Sequence, residues 1–192
     1  MAVPSPSKEQ MRAAALAERR SYARALTPEA RSSLEARLAR IVLPHVVGAR
    51  VVAGYHPLAS EISPYTILSG LAGEQAAVLP WFADRGAAML FREASALVAG
   101  PWGMLQPSAD AAALAPDVVL VPLVLGDRRG TRIGHGQGHY DRALAHLRAG
   151  SHPVRTIGIA WEAQISEEPI PADPWDVPLD AIATPAEWME FR

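Results

Sequence analysis

The sequence predicts an α/β fold: a single three-layer α/β/α domain over residues 1–192, with a mixed, mostly parallel central sheet. Predicted strands alternate with predicted helices along the chain, which is typical of a sheet covered on both faces. The strongest strand, residues 117–125, is continuously apolar after its first residue, as expected of a buried parallel strand. A length of 192 residues and an apolar fraction of 49% suit one domain with a sizeable core.

Two helices are predicted at the N-terminal end. Ser7, with a glutamine three residues later, has the spacing of a capping box, so the first helix begins after Ser7 and runs to about Ala25. Thr27 and Pro28 then begin a second helix, as its N-cap and its first helical residue. The second helix reaches about Leu43, since its apolar residues follow the helical period.

The other elements follow from apolar runs and the glycines and prolines between them. They are strands at 50–57, 76–82, 87–93 (at an edge), 154–162 and 181–184, a short helix within 63–73, a helix over 139–150, and irregular segments at 102–110 and 167–180.

Composition excludes several classes of protein. The net charge of −2 argues against a general nucleic-acid binder. The absence of cysteine excludes disulfides, thiolate catalysis and cysteine-ligated zinc. No apolar run approaches the ~18 residues of a membrane span, and the first ten residues contain no apolar stretch typical of a secretory signal. We therefore expect a cytoplasmic protein, and a monomer is our further expectation.

Charge is distributed unevenly along the chain. Residues 1–40 contain eight Lys or Arg and four Glu, whereas residues 161–190 contain eight acids and no Lys or Arg. Such asymmetry indicates either an anion-facing and a cation-facing end, or two solvated surfaces that attract each other.

The segment 132–144, RIGHGQGHYDRAL, carries the strongest functional signal. It lies between a buried strand and a helix, where α/β proteins bind ligands. Alternate glycines let backbone N–H groups approach an anion, and the following helix adds its positive end. Four arginines and two aspartates between 127 and 142 make the region basic. A phosphate cradle is therefore predicted, with a structural glycine turn as the alternative; the spacing matches neither the Rossmann fingerprint nor the P-loop.

Two further features of this segment bear on metals. His135 and His139 are four residues apart, which on a helix would suggest a metal site, but the three glycines disfavour a helix over 134–138. Asp141 is either a Mg²⁺ ligand beside the bound phosphates or a helix N-terminal charge.

The run VPLVLGDRRGTRIGHGQGHYDRAL (121–144) resembles the signature of the 5-formyltetrahydrofolate cyclo-ligase family nearly position for position. Other family landmarks occur in the same order over essentially the whole chain. They are Lys8 with Arg12, Tyr55 with Glu61, LPWF (79–82), MLFRE (89–93), GPWGMLQP (100–107) and WDVPLD (175–180).

The resemblance implies a three-layer α/β/α domain that converts 5-formyltetrahydrofolate to 5,10-methenyltetrahydrofolate, consumes ATP and requires Mg²⁺. In the mechanism proposed for the family, the formyl oxygen attacks the γ-phosphate, and N10 of the folate then expels phosphate as the ring closes. A family-like protein that binds nucleotide or folate without turnover is the alternative, and a sugar-phosphate isomerase or CoA-transferase-like enzyme is a third, based on fold alone.

The resemblance also assigns residues to roles. Arg132 is implied as the catalytic cation, and Asp141 and Asp176 as Mg²⁺ ligands. The implied ATP-binding residues are Lys8, Glu9, Gln10, Met11, Arg12, Arg132, Gly134, His135, Gly136, Gln137, Gly138, His139, Tyr140, Asp141 and Arg142. The implied folate-binding residues are His56, Glu61, Trp102, His135, Gly136, Gln137, Gly138 and His139.

Some aromatic and polar positions remain open from sequence. Trp81 and Trp102 are interpreted either as platforms that stack on flat rings or as packing residues. His135 and Gln137 stand where many family members have Tyr, Arg, Gly or Lys. Gln106 stands where the family usually has Glu, and that position is either a charged contact or structural.

Overall fold

The structure, a computed structural model, describes residues 6–150 and 153–191. Residues 1–5 lie outside this range, and the expectation of no secretory signal rests partly on them. The helices are α1 (Lys8–Ala25), α2 (Pro28–Val42), α3 (Tyr65–Ser69) and α4 (His139–Ala149), with 3₁₀ turns at Leu43–His45 and Glu162–Gln164. The strands are β1 (Val51–Ala53), β2 (Ala76–Trp81), β3 (Leu90–Glu93), β4 (Leu97–Ala99), β5 (Leu105–Pro107), β6 (Val118–Pro122), β7 (Leu125–Asp127), β8 (Arg132–Ile133), β9 (Arg155–Ile159), β10 (Ile165–Ser166), β11 (Ala181–Ala183) and β12 (Trp188–Glu190).

The main sheet is mixed and mostly parallel, as predicted. Its strand order is β12-β11-β9-β6-β1-β2-β3. The five inner strands run parallel to one another, and β3 and β12 pair antiparallel at the two edges. Two small sheets, β10-β7-β8 and β4-β5, flank it.

Helices cover both faces of this sheet and produce the predicted three layers. Along β6, Val118 and Leu120 pack in a core shared with α2 and α3, whereas Val119 and Val121 pack in a second core with α4. Alternate residues of one strand thus feed opposite cores, which explains why this strand is apolar at every position.

The predicted caps are confirmed. The Ser7 side chain accepts from the Gln10 N–H at 3.2 Å, and the Gln10 side chain accepts from the Ser7 N–H at 2.8 Å, so the capping box is complete. Thr27 caps α2, with Pro28 at its first turn.

Three predictions of strand structure are wrong in detail. The segment 102–110 is not all loop, because it contains β5, which pairs with β4. The segment 117–125 is not one strand: β6 ends at Pro122, and the chain turns to form β7 in a different sheet. The strand predicted over 50–57 ends at Ala53. No helix in the described part of the chain has the length and hydropathy that a membrane span needs.

Candidate active site

A cavity of about 1120 Å³ opens where β1, β2 and β6 end. Its walls include residues that follow these strands, namely His56 after β1, Phe82 after β2 and Pro122 at the end of β6. Carboxyl ends of neighbouring parallel strands form the usual ligand crevice of α/β sheets. The cavity therefore lies where the fold class predicts a site.

The glycine loop, residues 134–138, joins β8 to α4 along one side of this cavity. Gly136 and Gly138 have φ angles of +87° and +64°, a region that residues with a Cβ rarely enter. Gly138 is the N-cap of α4 and has no side chain with which to cap the first N–H groups. The helix therefore presents its positive end and unpaired donors beside the loop, as anion-binding sites do.

Arg132 lies at the base of the glycine loop with only 6% of its side chain exposed. Its Nη2 donates to Asp141 Oδ1 at 2.6 Å, and its Nη1 donates to the Val177 carbonyl. Burial lowers the pKa of Arg132, and the Asp141 carboxylate opposes that shift; arginine stays protonated in proteins regardless. The structure thus fixes one cation and one carboxylate side by side in the cavity wall.

The first helix brings two more cations to the same end of the cavity. Lys8 and Arg12 are four residues apart and share one face of α1, as their spacing requires. Arg12 Nε donates to the Gly134 carbonyl at 2.8 Å, and Lys8 contacts Asp173 (2.6 Å) and Asp176. Lys8 thus joins the basic N-terminal segment to the acidic C-terminal segment at the cavity.

The other predicted residues of α1 occupy different positions. Glu9, Gln10 and Met11 do not line the cavity. Gln10 instead completes the capping box.

Glu61 also lines the cavity and is buried in the loop between β1 and α3. Its Oε2 accepts from the Leu58 N–H at 2.9 Å, while its Oε1 lies 3.2 Å from His135 Nε2 and 3.3 Å from Arg19 Nη1. Burial raises the pKa of Glu61, but the hydrogen bonds from His135 and Leu58 and the charge of Arg19 outweigh it and lower the pKa. This carboxylate is therefore ionised at neutral pH.

Arg19 was not predicted as a site residue. It is 2% exposed, and it also donates to Ser60 Oγ and the Leu123 carbonyl. The available signal was its spacing, since it lies seven residues after Arg12 on the same helix face. Asp173 was not predicted as a site residue either, because it lies in a proline-rich loop whose sequence has no helical or strand periodicity.

Aromatic rings form another part of the cavity wall, the aromatic wall. The Phe82 ring meets Trp102 at 4.8 Å and 87°, and meets His139 at 4.9 Å and 65°. Trp102 is 38% exposed and faces the cavity, so its placement fits the ring-platform interpretation. Trp81 is not part of this wall, because it packs under the Arg92 guanidinium at 4.3 Å.

Several other predicted residues also line the cavity. His56 bonds Tyr65 through Nδ1 at 2.7 Å, Gln137 is exposed, and Arg142 lies 3.2 Å from His139 Nδ1. The Tyr140 hydroxyl is buried with no partner among the described residues; burial, followed by the charge of Glu61, raises its pKa.

The two histidines of the glycine loop have different neighbours. His135 contacts Glu61, and His139 packs on the aromatic wall. Within residues 6–150 and 153–191, no group of three His, Asp or Glu side chains is placed to hold a metal ion. Gln106, the other departure from the family pattern, bonds the backbone of Phe82 and makes no ion pair. In this chain the position thus has a structural contact.

Comparison with known proteins agrees with the geometry. Residues 4–185 match the model of the 5-formyltetrahydrofolate cyclo-ligase family. The 5-formyltetrahydrofolate cyclo-ligase of Escherichia coli K12 is 30% identical over 183 residues, which cover 90% of this chain and 99% of the relative. The enzyme of the same name from Mycolicibacterium smegmatis is 34% identical over 193 residues, covering 93% and 94%.

Solved structures show the same fold. The NMR structure of Aquifex aeolicus 5,10-methenyltetrahydrofolate synthetase superposes with a TM-score of 0.74 at 25% identity, covering 96% of this chain and 93% of that chain. A 5,10-methenyltetrahydrofolate synthetase from Mycoplasma pneumoniae gives a TM-score of 0.70 at 22% identity, covering 97% and 100%. With the family match over nearly the whole chain, these findings establish that this chain belongs to the 5-formyltetrahydrofolate cyclo-ligase family of enzymes.

Proposed function

We propose that this chain catalyses the ATP- and Mg²⁺-dependent cyclisation of 5-formyltetrahydrofolate to 5,10-methenyltetrahydrofolate, with release of ADP and phosphate. One observation carries the proposal beyond family membership: a single cavity has a cationic end, formed by Lys8, Arg12 and Arg132, and is also lined by a buried carboxylate, Glu61, and by aromatic rings. Its volume of about 1120 Å³ exceeds the ~300–1,000 Å³ of a typical one-ligand site, which suits two substrates that must meet.

The reaction needs little covalent chemistry from the protein. The formyl oxygen attacks the γ-phosphorus of ATP, and the bond from that phosphorus to the bridging oxygen breaks to release ADP. N10 of the same folate then attacks the former formyl carbon and loses its proton. The carbon–oxygen bond breaks, so phosphate departs with the formyl oxygen. Such phosphoryl transfer depends on placement and charge neutralisation, which is consistent with a chain that contains no cysteine.

Arg132 is proposed to stabilise the charge that develops on the transferred phosphoryl group. It is nearly buried and fixed by two hydrogen bonds, so it needs no reorganisation during the reaction. Lys8, Arg12 and the backbone N–H groups of the glycine loop are proposed to hold the phosphates. Because Glu9, Gln10 and Met11 do not line the cavity, the proposed direct contacts from α1 are confined to Lys8 and Arg12.

Asp141 and Asp176 fit the proposed role of Mg²⁺ ligands. Both line the cationic end, and each carboxylate is paired there with a cation, Arg132 or Lys8. Magnesium prefers oxygen ligands and is usually bound by one or two carboxylates together with substrate phosphates and water. Two carboxylates are therefore enough ligands from the protein. The bound ion would neutralise phosphate charge. Lys8 would then exchange its contact with Asp176 for one with phosphate.

Glu61 is proposed to accept hydrogen bonds from the pterin ring. It is buried and ionised, and one of its present hydrogen-bond donors, the His135 side chain, is 43% exposed. A pterin N–H can replace that donor without leaving the carboxylate unpaired. Trp102 and His56 are proposed to flank the folate, with the loop side chains of His135, Gln137 and His139.

The test is an absorbance assay. The methenyl product absorbs in the near ultraviolet, where the formyl substrate does not, so purified protein mixed with 5-formyltetrahydrofolate and Mg-ATP should give rising absorbance. Omission of ATP should abolish the rise. A folded protein that binds ATP or folate without any rise would instead be the family-like binding protein without turnover. A rise of equal rate without ATP would exclude the phosphoryl mechanism.

A further inference from the structure

A buried side chain, that of Gln106, links β5 to the aromatic wall. This residue lies in the middle of β5 and is 9% exposed. Its Oε1 accepts from the Phe82 N–H at 3.2 Å, and its Nε2 donates to the Phe82 carbonyl at 3.0 Å. The amide thus satisfies both backbone groups of a residue that has just left β2, as a neighbouring strand would do.

Phe82, fixed in this way, contacts the rings that face the cavity. Its ring touches both Trp102, from the turn between β4 and β5, and His139, from the first turn of α4. Trp102 and His139 also meet each other at 5.3 Å. The three rings come from three separate elements, so the placement of Phe82 determines how they meet.

The turn that carries Trp102 closes directly on the same amide. A Cβ at Gly100 would lie 2.7 Å from Gln106 Oε1, so a larger residue at this position would displace the Gln106 side chain. The Gly100 N–H donates to the Met104 carbonyl at 2.8 Å and closes the turn around Trp102. Gln106 is therefore packed between Phe82 and the turn, and it sets the distance between them.

We propose that Gln106 is a positioning residue for substrate binding: its amide holds Phe82, and through Phe82 the platform of Trp102 and His139 on which the flat ring system of the folate lies. This inference rests on the proposed function and deepens it. The amide supplies the one acceptor and the one donor that Phe82 needs; an ionised carboxylate supplies acceptors only, whereas a protonated carboxyl supplies both.

That difference provides the test, in the variant Gln106→Glu. With the introduced carboxylate ionised, at about pH 8, the lost hydrogen bond should raise the KM for 5-formyltetrahydrofolate about tenfold, the scale of one buried hydrogen bond. Burial raises the pKa of a carboxyl group, so lowering the pH to about 6 should protonate the introduced carboxylate and bring the KM of this variant to within about twofold of wild type at the same pH. The KM for ATP should stay within about twofold throughout.

Two further variants complete the experiment. Gln106→Met lacks both hydrogen bonds and should show a raised folate KM at every pH. Gln75→Glu is the matched control, because Gln75 also donates to backbone carbonyls, at Val46 and Ala49, but lies away from the cavity. It should lower thermal stability and leave the folate KM unchanged.

The outcomes separate this inference from the proposed function. Wild-type protein without turnover overturns the proposed function. An active wild type with an unchanged folate KM in Gln106→Met overturns the positioning role alone, whatever the pH dependence of Gln106→Glu. A selective, acid-rescued rise in the folate KM supports it. If Gln106→Glu does not fold, Gln106→Met decides.

Discussion

Replacement of Arg132 by alanine tests the cationic end of the cavity most sharply. The change removes a nearly buried charge that touches Asp141 at 2.6 Å and the Val177 carbonyl. Lys8 contacts Asp173 and Asp176, and Arg12 contacts the Gly134 carbonyl, so neither side chain occupies the position of Arg132. The phosphoryl group would therefore lose a preorganised donor.

The expected loss in kcat is roughly 10²–10³-fold, or about 2.7–4 kcal/mol of transition-state stabilisation, the scale for one preorganised donor. Stability should fall less. Breaking a fully buried ion pair costs about 3–5 kcal/mol, but Asp141 is 30% exposed and water can solvate the carboxylate left behind. We therefore expect destabilisation of about 1–2 kcal/mol, well below the change in activation free energy.

The assay compares kcat from methenyl absorbance with the midpoint of thermal unfolding. Arg128→Ala is the matched control, because Arg128 comes from the same β7–β8 region but is 45% exposed and pairs with Glu167 and Glu187 outside the cavity. Its kcat should be unchanged. If Arg132→Ala is folded and its kcat falls less than about threefold, Arg132 does not act on the transferred group.

Three more predictions concern the metal, the loop and the buried carboxylate. Asp141→Asn should raise the Mg²⁺ concentration needed for half-maximal activity, whereas Asp173→Asn should leave it nearly unchanged; equal titrations contradict the assignment. Gly138→Ala should destabilise the fold by about 1–2 kcal/mol, because Gly138 has a φ of +64°. A Cβ at Gly134 would meet nothing within 4 Å, so Gly134→Ala should change the free energy of unfolding by less than about 0.5 kcal/mol. Chemical denaturation measures both. The surroundings of Glu61 lower its pKa below 4.5, so its ionised form stabilises the fold at neutral pH. The difference in unfolding free energy between wild type and Glu61→Gln should therefore be constant above about pH 5 and shrink as the pH falls further. A difference that grows on acidification would contradict the direction of the pKa shift.

Local signals predicted the parts of the structure that depend on near neighbours. The capping box at Ser7, the proline at the start of α2 and the glycine loop before α4 are each determined within a few residues, and each occurs where predicted. The continuous apolar run at β6 also predicted burial on both faces. The position of the cavity follows from these elements, since ligands bind where parallel strands end.

Long-range pairing explains what the sequence did not predict. β5 exists because it pairs with β4 and because Gln106 bonds Phe82, 24 residues away. The apolar run breaks after Pro122 because the Val124 N–H bonds the Ile133 carbonyl in another sheet. Arg19 belongs to the site only because the fold places Glu61 beside it, 42 residues along the chain. None of these partners is encoded by local periodicity.

The central claim is that the cavity brings the formyl oxygen of the folate to the γ-phosphate of ATP. It is tested most directly by 5-formyltetrahydrofolate labelled with ¹⁸O in the formyl group, turned over with unlabelled ATP in unlabelled water. Mass spectrometry of the released phosphate should find one labelled oxygen for each methenyl product formed. Unlabelled phosphate accompanying full conversion to the methenyl product would contradict the account, because ATP would then have been cleaved by water.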